Sequence, residues 1–357
     1  MGLQTSRAAP GPTPRPPDLS CIGLAPLVLC SDAGLAGVAG RRMPCAACAM
    51  GLSPTASQGP ASDCSTEAAS SPGGTPRAAA SGLAFRAAGC TATPKASGLG
   101  EDAFFAARHS LGVADGVGGL RQFAHFGVDV AAYARELMRL AEGALQEGAS
   151  CCGALSRAER AARCYGASTA TLVKAGADAA TITAASLGDS GFVVLRPIGG
   201  GKFSIIARSV EQQHHWNFPY QLARLPRELE ESVPEDAPQT SARDAEQYVV
   251  EVLRGDLVLL FTDGFSDNVY DSELLDSVLS VSRLARRGEG KSTRASGADV
   301  VAPEAIAEAL VELALRKSRS RRSRTPFADA ASQQGHFFIG GKEDDVTVVA
   351  AWVHSLS

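Results

Sequence analysis

Four acidic clusters hold the residue types that could do chemistry in this chain. GEDAF carries Glu101 and Asp102, ADGVGG carries Asp115, FTDGFSDN carries Asp263 and Asp267, and KEDDVTV carries Asp344 and Asp345. In three of them an apolar, strand-like run adjoins the Asp, and Gly follows the Asp in two. One Asp-Gly at a strand end is ordinarily a turn, because the pair bends the backbone with little strain. Several carboxylates gathered without matching cations are different: like charges raise each other's pKa, so the group must take up protons or bind metal. Oxygen ligands without His or Cys suit Mg²⁺ or Mn²⁺ and disfavour zinc. A Gly after the Asp also lets the backbone approach an ion, so that its carbonyl can serve as a ligand. Two such ions about 3.5–4 Å apart can activate a water and clamp a phosphoryl group.

A fifth stretch, SLGDSGFVV (186–194), sets a competing reading. Gly-Asp-Ser-Gly surrounds the nucleophile of chymotrypsin-like proteases, which would make Ser190 a nucleophile served by an upstream His and Asp. Phe192 follows Gly191, where that motif continues with Gly, and no secreted disulfide pattern accompanies it. The preferred reading is a β-hairpin with its turn at 188–191, in which Asp189 is the useful residue.

The elements that must position these groups begin near Leu99. The run GVDVAAYARELMRLAEGAL has a helical stripe at Val130, Ala134, Leu137, Ala141 and Leu145. Strand-like runs follow: STATLVKAG, ATITAASLGDS, GFVVLRP, KFSIIARS, QYVVEVL and DLVLLFTDG. Two more helical patterns, DSELLDSVLSVSRLA and APEAIAEALVELALRK, flank a loop-like ARRGEGKSTRASGAD, and DDVTVVAAWV is a last strand. Many β-runs on short turns with a few long helices give an α+β class, antiparallel sheets covered by helices.

Residues 1–90 read as a targeting or disordered tract and 91–357 as the domain. The tract is rich in Ala, Ser, Pro and Gly, with scattered Arg and few acids, which fits an organellar transit peptide. The myristoylation-like MGLQTS start is outweighed by that continuation. The chain has nine Cys, six of them in or at the edge of the tract, and they form no disulfide framework; the isolated CAAC at 45–48 is not read as a metal or redox pair. Net charge is −4, so nothing global favours nucleic acid, and RKSRSRRSR reads as a solvated loop. No run reaches the roughly 18 apolar residues of a membrane span.

The motifs GEDAFF, LGVADGVGG, GVDVAAYARELM, STATL, SLGDSGFVVLR, EQQHHWNFPYQL, GDLVLLFTDGFSDN and KEDDVTVV, in this order, resemble the PPM (type 2C) metal-dependent Ser/Thr protein phosphatases, in particular their organellar branch. The resemblance runs from about Leu99 to Val353. It implies a β-sandwich of two antiparallel sheets flanked by helices (αββα), with a two-ion Mn²⁺ or Mg²⁺ centre at one edge. It further implies direct hydrolysis of phosphoserine and phosphothreonine in protein substrates by a metal-activated water, with no phosphoenzyme. Carried over, Asp115 bridges both ions and Gly116 gives a carbonyl. Asp263 and Asp344 are further ligands, with Asp344 preferred over Asp345. Asp102 binds directly or through water, with Glu101 as its alternative partner, and Asp189 holds a weaker third ion with Asp263. Asp115 and Asp263 are the catalytic pair.

Two departures stand out. Val117 replaces the His that serves many members as proton donor, with His109 and His125 near in sequence. The Arg that grips phosphate upstream of the first acidic motif is missing, leaving Lys95. His214, His215 and Trp216 are read as packing residues. A monomer is expected, in a plastid by preference and otherwise a mitochondrion; the alternative function is a pseudophosphatase scaffold.

Overall fold

The computed structural model describes residues 82–92, 100–176, 180–234, 237–288 and 301–355. The tract 1–81, Lys95 and the loop segment 289–300 lie outside the described residues, and with them the readings of targeting, the CAAC pair and most of that loop.

In chain order come β1 (Leu83–Ala92), β2 (Ala103–Ala106), β3 (Ser110–Ala114), α1 (Val130–Gln146) and α2 (Cys151–Ala161). Next are β4 (Gly166–Ser168), β5 (Ala170–Ala175), β6 (Thr181–Leu187), β7 (Gly191–Pro197) and β8 (Phe203–Arg208). A small lobe follows: β9 (Gln213–His215), β10 (Phe218–Pro219), β11 (Leu222–Arg224) and the single turn α3 (Arg227–Glu230). Then come β12 (Glu246–Glu251), β13 (Leu257–Phe261), the short α4 (Asp263–Ser266), α5 (Asp271–Gly288), α6 (Pro303–Ser318), α7 (Pro326–Gln333) and β14 (Val346–Ser355).

Two five-stranded sheets, ordered β1-β14-β13-β7-β8 and β12-β6-β5-β3-β2, pack face to face. Every pair within them is antiparallel. Phe85, Leu111, Val113, Ile182, Phe192 and Leu260 fill the space between the sheets. Leu137, Met138 and Leu155 of α1 and α2 cover the outside of one sheet against Leu172 and Leu187. Leu274, Val278, Ile306 and Leu310 of α5 and α6 cover the other against Leu259 and Trp352. This is the αββα sandwich expected from the sequence. It also explains why LVLLF is an unbroken apolar run: successive residues of β13 face opposite layers, and both layers are covered, so all five are buried. The α1 stripe becomes its buried face, and Asp129 caps the helix by accepting the Ala132 N–H at 2.9 Å, worth about 1 kcal/mol. No helix among the described residues is long and apolar enough to cross a membrane.

Three sequence readings change. β1 begins at Leu83, ahead of the 90/91 boundary, and pairs with β14 from Leu83–Ser355 to Ala92–Val346. LAFRAAGCTA shows no period of two, so only its partner strand reveals it. The stretch 186–194 is not a hairpin: β6 lies in one sheet and β7 in the other. Gly188, at φ 96°, turns the chain across the open end of the sandwich rather than back along one sheet. The basic run is also less solvated than it reads, since Lys317 is buried at the end of α6 and bonded to Glu273.

Candidate metal centre

Antiparallel pairing brings the acidic clusters to one end of the sandwich. Asp102 precedes β2, Asp115 follows β3, Asp189 joins β6 to β7, Asp263 follows β13, and Asp344 and Asp345 precede β14. Local hydrogen bonds then fix each one. Asp115 donates its N–H to Thr169 Oγ1 at 3.2 Å, and its carbonyl accepts the Thr169 N–H at 2.9 Å. Gly116 bridges to Ser168, and the Val117 N–H reaches the Ala167 carbonyl at 2.9 Å. Thr262 donates its hydroxyl to Asp102 Oδ2 at 2.9 Å while accepting the Thr347 N–H at 3.0 Å. Asp345 Oδ2 accepts the Glu101 N–H at 2.7 Å, across 244 residues of sequence.

Ser190 is buried, with its hydroxyl 2.6 Å from Thr169 Oγ1 and its carbonyl accepting from Thr171 and Ser186. It supports the threonine that holds Asp115, and no histidine among the described residues serves it. His109 bonds the Leu83 carbonyl and His125 the Gln122 carbonyl, so both are occupied away from the carboxylates. His214 stacks on Tyr220 and bonds Thr240, and Trp216 stacks on His336.

The electrostatics are those of crowded acids. Burial pushes Asp102 up to about 8, reinforced by Asp345 and Asp263 and opposed by hydrogen bonds from Thr347 and Thr262. Burial, then Asp102 and Asp263, holds Asp115 well above the carboxylate range. Burial and Asp263 do the same to Asp189. Burial takes Asp267 to about 7 even beside Lys342. Asp263 alone falls: burial opposes its charge, but Lys342 and hydrogen bonds outweigh that.

The donor set fits a hard divalent cation. Oδ1 of Asp102, Asp263 and Asp345 is buried and receives no hydrogen bond from the protein, a costly state for an oxygen that carries charge. Each of these carboxylates is held by its other oxygen. No three His, Cys, Asp or Glu side chains among the described residues already close on one point. An ion bound here would draw the carboxylates in.

Three residues at this site were missed by the sequence reading, and a fourth was ranked below its neighbour. Lys342 donates to Asp263 Oδ2 and Asp267 Oδ2, both at 2.6 Å, and lies 3.9 Å from Asp344. Arg121 pairs with Glu101 at the mouth. Asn268 is fully buried behind them. Asp345, set second to Asp344, is the more buried of the two and ties the Glu101 segment down. Lys342 and Asn268 lie within the quoted motifs, but no local pattern ties either to an acidic site.

Gly264 lets these strands meet. A Cβ there would lie 2.0 Å from the Asp345 carbonyl. Gly264→Ala is therefore expected to destabilise the domain by about 1–3 kcal/mol through overpacking and to weaken Mn²⁺ binding together with it. Urea titration and Mn²⁺ titration check the pair of effects; a variant as stable as the parent removes this account of Gly264.

No protein-family model matches the chain. It is 35% identical over 272 residues to the human "Protein phosphatase PTC7 homolog", covering 72% of this chain and 81% of that protein. The zebrafish (Danio rerio) homolog is 34% identical, with 71% and 81% covered. The Arabidopsis thaliana "Probable protein phosphatase 2C 55" is 33% identical over 260 residues, 71% of this chain and 48% of that protein. The chain thus spans about half the length of the Arabidopsis relatives it matches (48% and 55%). Among solved structures, "X-ray structure of the photosystem II phosphatase PBCP" aligns with TM-score 0.58 at 26% identity, covering 76% of this chain and 100% of that one. With the sandwich, the strand-end carboxylates and these relatives in agreement, the chain belongs to the protein phosphatase 2C (PPM) family.

Proposed function

We propose that the protein is a metal-dependent serine/threonine protein phosphatase that hydrolyses phosphoserine and phosphothreonine in protein substrates with no phosphoenzyme. The observation that carries this is the pair of buried, donor-free carboxylate oxygens on Asp102 and Asp263 at one end of the sandwich. Asp102, Asp115, the Gly116 carbonyl, Asp263 and Asp344 would hold two Mn²⁺ or Mg²⁺ ions. When bound, these would supply an activated water and positive charge for the phosphoryl oxygens. The protein's own work is to fix the carboxylates before substrate arrives. Thr169 sets Asp115, Thr262 sets Asp102, and Lys342 sets Asp263. With no serine or histidine among the described residues poised to attack or donate, water would be both nucleophile and proton source. Acid at every ligand position argues against a scaffold that has lost catalysis.

Arg121 is the phosphate grip, for which the sequence upstream of Glu101 offers only Lys95. Its Nε pairs with Glu101, Asp344 and Asp345 lie within electrostatic reach, and no protein acceptor among the described residues bonds its Nη groups. Arg121→Ala is expected to cut kcat/KM for a phosphothreonine peptide about 10–100-fold, the range of a charged hydrogen-bond pair, with Mn²⁺ binding unchanged. An unchanged KM and kcat would remove that role.

The function itself is tested by assaying the purified chain on p-nitrophenyl phosphate and a phosphothreonine peptide, with Mn²⁺, with Mg²⁺ and with EDTA. Absence of hydrolysis with both metals sinks the proposal. The composition of residues 1–90 supports import into a plastid, in keeping with the photosystem II phosphatase among its structural relatives; a mitochondrion is second. A fluorescent reporter fused to residues 1–90 decides between them.

A further inference from the structure

We infer that Lys342 is the resident cation of the corner formed by Asp189, Asp263 and Asp267, and that its ammonium stands where a third metal ion would otherwise bind. The inference rests on the metal-dependent reading above and goes beyond it by fixing how many ions the centre accepts.

The contacts come first. Lys342 Nζ donates to Asp263 Oδ2 at 2.6 Å and to Asp267 Oδ2 at 2.6 Å. An ion in this corner would need those same two oxygens. Asp189, the residue expected to hold a third ion with Asp263, shares the corner: it is 9% exposed and feels Asp263, Lys342 and Asp267. The oxygen Asp263 has left for a metal is the donor-free Oδ1, while Oδ2 is already taken.

The lysine is also delivered by a fixed backbone. Asn268, next to Asp267 and fully buried, grips residue 342 in both directions. Its Oδ1 accepts the Lys342 N–H at 3.0 Å, and its Nδ2 donates to the Lys342 carbonyl at 2.9 Å. The same Nδ2 donates to the Gly264 carbonyl at 2.9 Å, so the turn that carries the acids holds the cation as well. On the other side, the Gly341 N–H reaches the Ser320 carbonyl at 2.8 Å, and a Cβ at Gly341 would lie 2.2 Å from the Lys317 carbonyl. Thr325 donates its hydroxyl to the Gly340 carbonyl at 2.8 Å. The Phe327 ring closes the remaining side, with its centroid 5.0 Å from Nζ.

The charge arithmetic excludes a guest. A divalent ion in the corner would lie in contact with the ammonium and repel it, or the lysine would have to swing out and give up both charge-assisted bonds. Losing two such bonds weakens a third ion by about a hundredfold or more. The ammonium, being tethered, cannot be diluted away. The corner therefore keeps its positive charge at any metal concentration.

The test is a Mn²⁺ titration of the full chain, with free Mn²⁺ read by electron paramagnetic resonance. The wild type is expected to bind two ions and no third below millimolar Mn²⁺. Lys342→Gln is expected to bind three, and Lys342→Gln with Asp189→Ala to return to two. Lys342→Arg, which keeps the charge, is expected to stay at two. A third ion in the wild type overturns the inference whether or not the variants fold. Two ions in both the wild type and a folded Lys342→Gln protein overturn this inference alone. A wild type that binds no ion overturns the metal-dependent reading and this inference with it.

Discussion

Asp115→Asn is expected to slow Mn²⁺-dependent hydrolysis of a phosphothreonine peptide about 10³-fold while making the metal-free protein more stable. The two effects have one cause. Asp115 is set at the end of β3 by Thr169 and faces Asp102 and Asp263. Burial and those neighbours hold its carboxyl well above the ordinary range, so its charge costs the fold energy whenever no cation is present. Asparagine keeps the shape and removes the charge. The metal-free variant should gain about 1–2 kcal/mol, or roughly 2–8 °C in Tm. The same change takes away one of the carboxylates that would hold the ions, and one well-aimed electrostatic group is worth about 10²–10³ in rate. Turnover within tenfold of the parent, or a metal-free Tm that drops, would refute this account of Asp115.

The second large effect is on stability against pH. Asp102 titrates near 8 and Asp267 near 7 in the folded protein, against an ordinary value of 3.8, with Asp115 and Asp189 shifted the same way. Above about pH 4 the unfolded chain has released protons that the folded chain still holds. The metal-free protein must therefore lose stability as pH rises from about 4 to about 8, by up to about 1.4 kcal/mol per pH unit for each such group. Asp263 has the opposite sign, but its pKa lies below 3.8, outside this window. Bound cations take the place of those protons, so Mn²⁺ should flatten the slope, and its affinity should climb with pH across the same range. Thermal unfolding between pH 5 and 8.5, with EDTA and with Mn²⁺, reads both. A metal-free Tm that stays level or increases across that window rules the account out.

Much of this was legible in the sequence. The helical stripe of 130–145 and the unbroken apolar run of 257–261 became the helix and the strand they suggest. Strand-end Asp residues were visible because Asp after an apolar run is a local pattern. What the sequence hid was set by distant partners. β1 is an Ala- and Gly-rich run whose identity as a strand comes from β14. The path through Ser186–Val194 depends on which sheet each flanking strand joins, and turn chemistry does not encode that. Lys342 stands two residues before Asp344, yet nothing local says that it reaches Asp263 and Asp267, 79 and 75 residues away. Arg121 follows Asp115, whereas a phosphate-gripping cation was sought before Glu101.

The pairing of β1 with β14 also bears on how the protein is made. All ten registers of β1 depend on a strand some 250 residues later, and β13 takes its second neighbour from the same strand. At roughly 5–20 residues per second, a ribosome delivers that strand on the order of ten seconds to a minute after β1 emerges. Until then β1 has no partner, and Glu101 and Thr262 lack the residues, Asp345 and Thr347, that lock them in place. Closure of so long a loop is slow. The nascent chain thus lacks its last sheet pairing and the locked acidic end for nearly all of its synthesis, and acquires both in a late step.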